Sequence, residues 1–147
     1  MRAPYQILTI LYKRNEEKNL YCIFYRTSHP VWQFLSGGGE DDETPFETVV
    51  REVKEEICVN IKQEDIEKLD TINTIPVANV TGEYTWGSDV FVIPEYTFAV
   101  NANDFDITLS SEHKEYKWVE YEEAMSKLRY DSNKTALWEL NEKLKRR

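Results

Sequence analysis

The chain has 147 residues, 41% of them hydrophobic, and a formal net charge of −9. That length predicts one domain, residues 1–147, with enough apolar and aromatic content for a real core and too much for disorder. The acidic balance opposes docking on a nucleic-acid polymer or an anionic membrane, which want a basic footprint, but not a small phosphorylated ligand whose charge a metal offsets locally.

Tyr5 to Tyr12 is rich in β-formers and reads as a buried strand, and Leu20 to Arg26 reads as its antiparallel partner across a polar turn. Ser28-His29-Pro30 breaks that strand, and Val31 to Leu35 is short, apolar and extended. Gly37-Gly38-Gly39 reads as a glycine turn. Thr44-Pro45-Phe46-Glu47 is a helix start, with Thr44 as cap, Pro45 in the first turn and Glu47 closing a capping box. Phe46, Val49, Val50, Val53 and Ile57 then form one apolar stripe. Ile72 to Val80 and Val90 to Val100 read as strands, with the polar segment Thr81 to Asp89 between them. Asn101 to Ser111 reads as a loop and Tyr116 to Val119 as a short strand. Tyr121 to Leu128 and Lys134 to Leu144 read as helices. The order predicts an α/β (α+β) fold, a layered sandwich.

The helix after the glycines carries the chemistry. Glu52, Glu55 and Glu56 fall within an arc of about 100° beside the apolar stripe, which predicts a cluster at the core edge, facing a cleft. Like charges at this spacing repel by roughly 0.2–0.5 kcal/mol per pair. A cation that neutralises them is therefore expected. Mg²⁺, with Mn²⁺ as a substitute, fits as a hard ion shared between carboxylates and substrate phosphates. Arg51 points away from the cluster and is expected to pair with Glu43 or Glu55.

Written as a pattern, this segment is G-x5-E-x7-R-E-V-x-E-E-x-C-V, from Gly37 through Glu43, Arg51, Glu52, Val53, Glu55 and Glu56 to Val59. It resembles the signature of the Nudix hydrolases. Six charged or glycine positions match by chance only about once in 10⁷ windows at average usage. Cys58 departs from the pattern, standing where the family has glycine, and the helix cap is expected to shift toward Asn60. Trp32-Gln33, Glu112 to Trp118 and Ser132-Asn133 resemble the bacterial branch described as dihydroneopterin triphosphate pyrophosphatases or dATP pyrophosphohydrolases.

The resemblance implies an α/β/α sandwich around a central mixed sheet and metal-dependent hydrolysis of a phosphoanhydride. The substrate it implies is a nucleoside or pterin triphosphate, cleaved to pyrophosphate and the monophosphate. It places the metal on Glu52, Glu55, Glu56 and the backbone of Gly37, with Glu112 as a further ligand or general base. It also places Arg2, Arg26, Ser36 and Tyr130 where they could touch substrate. Trp32, Phe34, Tyr84 and Trp86 read as core rather than base-stacking aromatics. His29 and His113 read as loop-surface residues rather than bases. Other substrates within the family are nucleoside diphosphate sugars, dinucleotide polyphosphates and oxidised nucleotides. A non-catalytic nucleotide sensor and an unrelated acidic interaction module are the rivals from other classes.

Cys22 and Cys58 fit no metal-ligand spacing and read as reduced thiols. The N-terminus lacks the apolar core of a signal peptide and no run is long enough to span a bilayer, so a cytoplasmic protein, monomer or homodimer, is expected.

Overall fold

The computed structural model describes residues 1–82 and 84–147. Its longest strand, β1 (Arg2–Arg14), is buried on both faces. Ile7 and Leu11 point to one side and Leu8, Ile10 and Tyr12 to the other, which is the period of two that a pleated strand imposes. This explains the near-continuous apolar run in the sequence, because both sides of the strand are covered.

β1 lies at the centre of a seven-stranded mixed sheet. The other strands are β2 (Asn19–Arg26), β3 (Trp32–Gln33), β4 (Leu35–Glu40), β5 (Ile66–Pro76), β6 (Val92–Asn101) and β7 (His113–Val119). β1 runs parallel to β6 from Gln6 to Tyr12 and antiparallel to β2 and β4. β2 also pairs with β3 and β7, and β5 closes the far edge beside β6.

Helix α1 (Pro45–Ile57) covers one face through Val49, Val53 and Ile57, all fully buried. Burying three such side chains is worth roughly 5–9 kcal/mol before the entropy of ordering them. Helices α2 (Tyr121–Lys127) and α3 (Asp131–Lys145) cover the other face, with Ala136, Leu137, Leu140 and Leu144 against Leu8, Ile10 and Tyr21. The result is the expected sandwich with a central mixed sheet.

Three local expectations change. The triple glycine is not a turn: Gly37–Gly39 lie inside β4, paired with β1, and none of them has a positive φ. The cap of α1 does not move to Asn60. Cys58 itself takes the left-handed conformation, with φ 59°, and its amide donates to the Lys54 carbonyl at 3.1 Å. Its side chain is exposed, so no burial cost adds to the backbone strain. β5 begins at Ile66 rather than Ile72, because its first residues pair with the end of β6. Glu83, within the polar segment expected between strands, lies outside the described residues. Among the described residues no helix is long and apolar enough to cross a membrane.

Candidate active site

The site is built where α1 meets β4 and the loop before β7. The capping box forms as predicted: the Glu47 amide donates to Thr44 Oγ1 at 3.2 Å and the Thr44 amide to Glu47 Oε1 at 2.9 Å. This fixes the first turn, and with it the direction of every later side chain on the helix.

Arg51 ties the helix to the sheet. Its Nε donates to Glu43 Oε2 at 2.7 Å and its Nη2 to Glu43 Oε1 at 3.0 Å, a bidentate pair. Nη2 also donates to the Gly38 carbonyl at 2.8 Å, and Nη1 reaches Glu52 at 3.0 Å and Glu55 at 3.2 Å. The planar fork suits this task, because one guanidinium satisfies several oxygens in fixed directions. Arg51, first among its partners, holds the Glu43 carboxyl below its usual range. Both partners expected for Arg51 are therefore engaged, but it does not point away from the acidic cluster, because Nη1 also bonds Glu52.

The glycines of β4 have a packing reason. A Cβ on Gly37 would overlap the Glu52 carboxylate, one on Gly38 the Arg2 guanidinium, and one on Gly39 the Tyr5 ring. Each absent side chain makes room for a functional or supporting group of another element.

The three helix carboxylates are not equivalent. Glu52 is 9% exposed and Glu56 5%. Glu55, by contrast, is exposed and lies beside Arg51. Burial pushes the Glu52 carboxyl up to about 7, against the pull of Arg51. Glu56 accepts a hydrogen bond from Ser110 Oγ at 2.9 Å, and its Oε2 lies 3.2 Å from His113 Nδ1. Burial raises its carboxyl, but His113, Ser110 and Glu112 together outweigh burial and hold it below the usual range. Glu112 moves the other way, raised first by burial and then by the neighbouring Glu56.

His113 corrects an expectation. It opens β7 and is 6% exposed, with its ring 5.3 Å from that of Phe24, so it is not a loop-surface residue. His29, in contrast, is exposed. Ligand atoms of Glu56, Glu112 and His113 all lie within 4.8 Å of one another. The Glu56 and Glu112 carboxyls therefore repel each other when both are charged. A divalent ion would relieve that repulsion, and this donor set is one that fits it.

A cleft of about 860 Å³, within the range of small-molecule sites, reaches this cluster at Glu112. Glu52 and Glu112 line it, as do Gly37 and all four residues expected at the substrate, Arg2, Arg26, Ser36 and Tyr130. Phe34 contributes to its wall but is fully buried, and Trp86 donates its indole N–H to the Arg2 carbonyl at 2.8 Å. Trp32 packs partly buried against the core, while Tyr84 is exposed with its ring 5.8 Å from that of Phe91. Ser110, His113 and Glu95 were not found as site residues from the sequence. Glu95 had a signal: it is a lone carboxylate in line with Ile93, Thr97 and Ala99, the inward side of a predicted strand.

An acidic helix seated on a sheet and locked by an arginine hub, beside a cleft of small-molecule size, is the arrangement expected of a Nudix hydrolase. Residues 6–139 match the NUDIX domain, and the chain belongs to that family, enzymes that act on phosphoanhydride bonds. Among solved structures it resembles a NUDIX hydrolase from Listeria monocytogenes, at 40% identity and a TM-score of 0.85 over 98% of this chain and 96% of that one. The dihydroneopterin triphosphate diphosphatase of Escherichia coli K12 is 24% identical over 137 residues, covering 92% of this chain and 91% of that protein. The RNA pyrophosphohydrolase of a Sulfurovum species is 29% identical over 142 residues, covering 89% and 85%.

Proposed function

We propose that this enzyme cleaves a nucleoside or pterin triphosphate, with water as nucleophile, into the monophosphate and pyrophosphate. The observation that carries this reading is the cleft itself. Buried Glu52 and exposed Glu112 line it, and Arg2 and Arg26 line the same space. Carboxylates bind the metal and arginines bind phosphate oxygens, so one cavity offers both halves of what a polyphosphate needs.

Glu52, Glu56 and Glu112 would hold the divalent ion, Mg²⁺ or Mn²⁺, and Gly37 leaves the space that the Glu52 carboxylate fills. When bound, the ion supplies positive charge to the phosphoanhydride oxygens and makes a coordinated water more acidic. Glu55 is an outer residue that holds Arg51 from the solvent side. Arg51 keeps Glu43, Glu52 and Glu55 in register and takes no part in bond breaking. Glu112, which lines the cleft, is the candidate acceptor for the water proton. Arg2, Arg26, Ser36 and Tyr130 orient the phosphates and the group attached to them.

The test is a panel: GTP, dATP, dihydroneopterin triphosphate, ADP-ribose, diadenosine tetraphosphate and triphosphate-ended RNA, each with and without Mg²⁺. Metal-dependent release of pyrophosphate from a free triphosphate, faster than from the other compounds, is the expected result. Preferred cleavage of ADP-ribose or of the dinucleotide overturns it. The similarity to an RNA pyrophosphohydrolase favours RNA ends as the second reading, but the net charge of −9 opposes retention of a polyanion.

A further inference from the structure

A buried carboxylate in the sheet stands apart from the acids of α1. Glu95 of β6 is 4% exposed, and burial pushes its carboxyl up against the pull of Gln6 and Asn73. Asn73 of β5 is its partner across one strand pair and Gln6 of β1 across the other. Gln6 is paired in turn with Gly38 of β4, whose missing side chain leaves room for the Arg2 guanidinium. Glu95, Gln6 and Arg2 therefore form a row across the sheet that ends, at Arg2, in the cleft.

The hydrogen bonds along the row run in one direction. Arg2 Nη2 donates to Gln6 Oε1 at 3.1 Å, and Gln6 Nε2 donates to Glu95 Oε2 at 3.1 Å. An amide can face either way, but these two partners leave it one choice. A guanidinium only donates, and a carboxylate only accepts. Glu95 thus holds the amide nitrogen on its own side and the amide oxygen toward Arg2. At the far end of the row, burial opposes the charge of Arg2 and Glu52 favours it. Glu52 is therefore the group toward which an unanchored Arg2 would be drawn. A guanidinium that swung onto Glu52 would occupy a carboxylate assigned to the ion and turn away from the phosphates.

We propose that Glu95 is a positioning residue: acting through the Gln6 amide, it holds Arg2 in the pose that meets a substrate phosphate and keeps it off Glu52. Glu95 itself touches neither the substrate nor the ion. The proposal rests on Arg2 as a phosphate contact, as read above, and adds the buried charge that sets its direction. An arginine already held by a neighbour loses less freedom when a ligand arrives, so the row strengthens binding without adding a contact to the substrate.

Steady-state kinetics of the full chain with Mg²⁺ test it, on whichever compound of the panel the wild type cleaves fastest. The result then does not depend on a triphosphate being preferred, which the panel decides separately. Arg2→Ala is expected to raise KM about 10- to 100-fold, the range for losing a hydrogen bond to a charged group. Glu95→Gln keeps the shape but can offer Gln6 a donor as well as an acceptor, so the amide is no longer held one way. It is expected to raise KM about 3- to 10-fold with kcat within about 2-fold of wild type. Gln6→Met, which removes the link, is expected to do the same. Added to Arg2→Ala, neither substitution should raise KM further, because the residue that they position is gone. A network that merely supports the sheet would act on KM equally with or without Arg2. An unchanged KM in Glu95→Gln, an undiminished effect in the Arg2→Ala background, or a normal KM in Arg2→Ala overturns the proposal. If Glu95→Gln does not fold, Gln6→Met decides by the same criteria.

Discussion

Glu52→Gln should make the metal-free protein more stable while abolishing turnover. The Glu52 carboxyl is buried under β4, and burial raises it from 4.5 to about 7. A carboxyl raised on folding binds its proton more tightly in the native than in the unfolded state. It therefore favours the fold at low pH, and that contribution is lost as pH climbs from the unfolded value through about 7. At about 1.4 kcal/mol per pH unit the full effect is roughly 3 kcal/mol. Solvent in the cleft screens part of it, leaving about 2 kcal/mol. For a domain of this length that is a Tm difference of roughly 4–8 °C.

The assay is thermal melting in chelator from pH 5 to pH 8.5, for wild type and variant. The wild type should lose stability relative to Glu52→Gln across that window, with the two curves meeting near pH 5. Millimolar Mg²⁺ should restore the wild type at pH 8 and leave the variant where it was, because a bound ion stabilises only the state that holds it. A difference between the two proteins that does not change with pH would refute the reasoning, since it would mean that Glu52 is not a desolvated charge.

Three other substitutions probe the same framework. Glu56→Gln should lower kcat by about 10²–10⁴-fold, measured as pyrophosphate release, with an unchanged far-UV spectrum; near-normal turnover would remove Glu56 from the site. Gly37→Ala places a methyl against the Glu52 carboxylate and should cost about 1–3 kcal/mol in denaturant melts and weaken activation by Mg²⁺. Cys58→Gly relieves a left-handed residue that costs roughly 1–2 kcal/mol, partly offset by the greater freedom of glycine in the unfolded chain. It should raise Tm by a few degrees and leave kcat alone.

Much of the molecule is legible locally. The helix start at Thr44, the acidic trio, the Arg51 pairing and the burial of β1 follow from spacing, because capping and helical periodicity are set by residues a few positions apart. Other features needed partners far along the chain. That Gly37 lies in a strand depends on its pairing with Ile7. That His113 is buried depends on Phe24 and Glu56, which belong to other elements. The separation of Glu55 from Glu52 and Glu56 was beyond a helical wheel, since all three share one side of α1. Glu52 loses its water to β4, and Glu56 to Ser110 and His113 far along the chain.

By itself, then, the sequence determined the family, the acidic helix and the arginine that anchors it, all written within a contiguous stretch. The tertiary structure alone decided which acids are desolvated, which glycines are spaces for other side chains, and that Glu95 meets Asn73 across a strand pair. The physical reason is that burial and pairing are properties of neighbours in space. Sheet register brings together residues 6, 38, 73 and 95, which no local pattern connects.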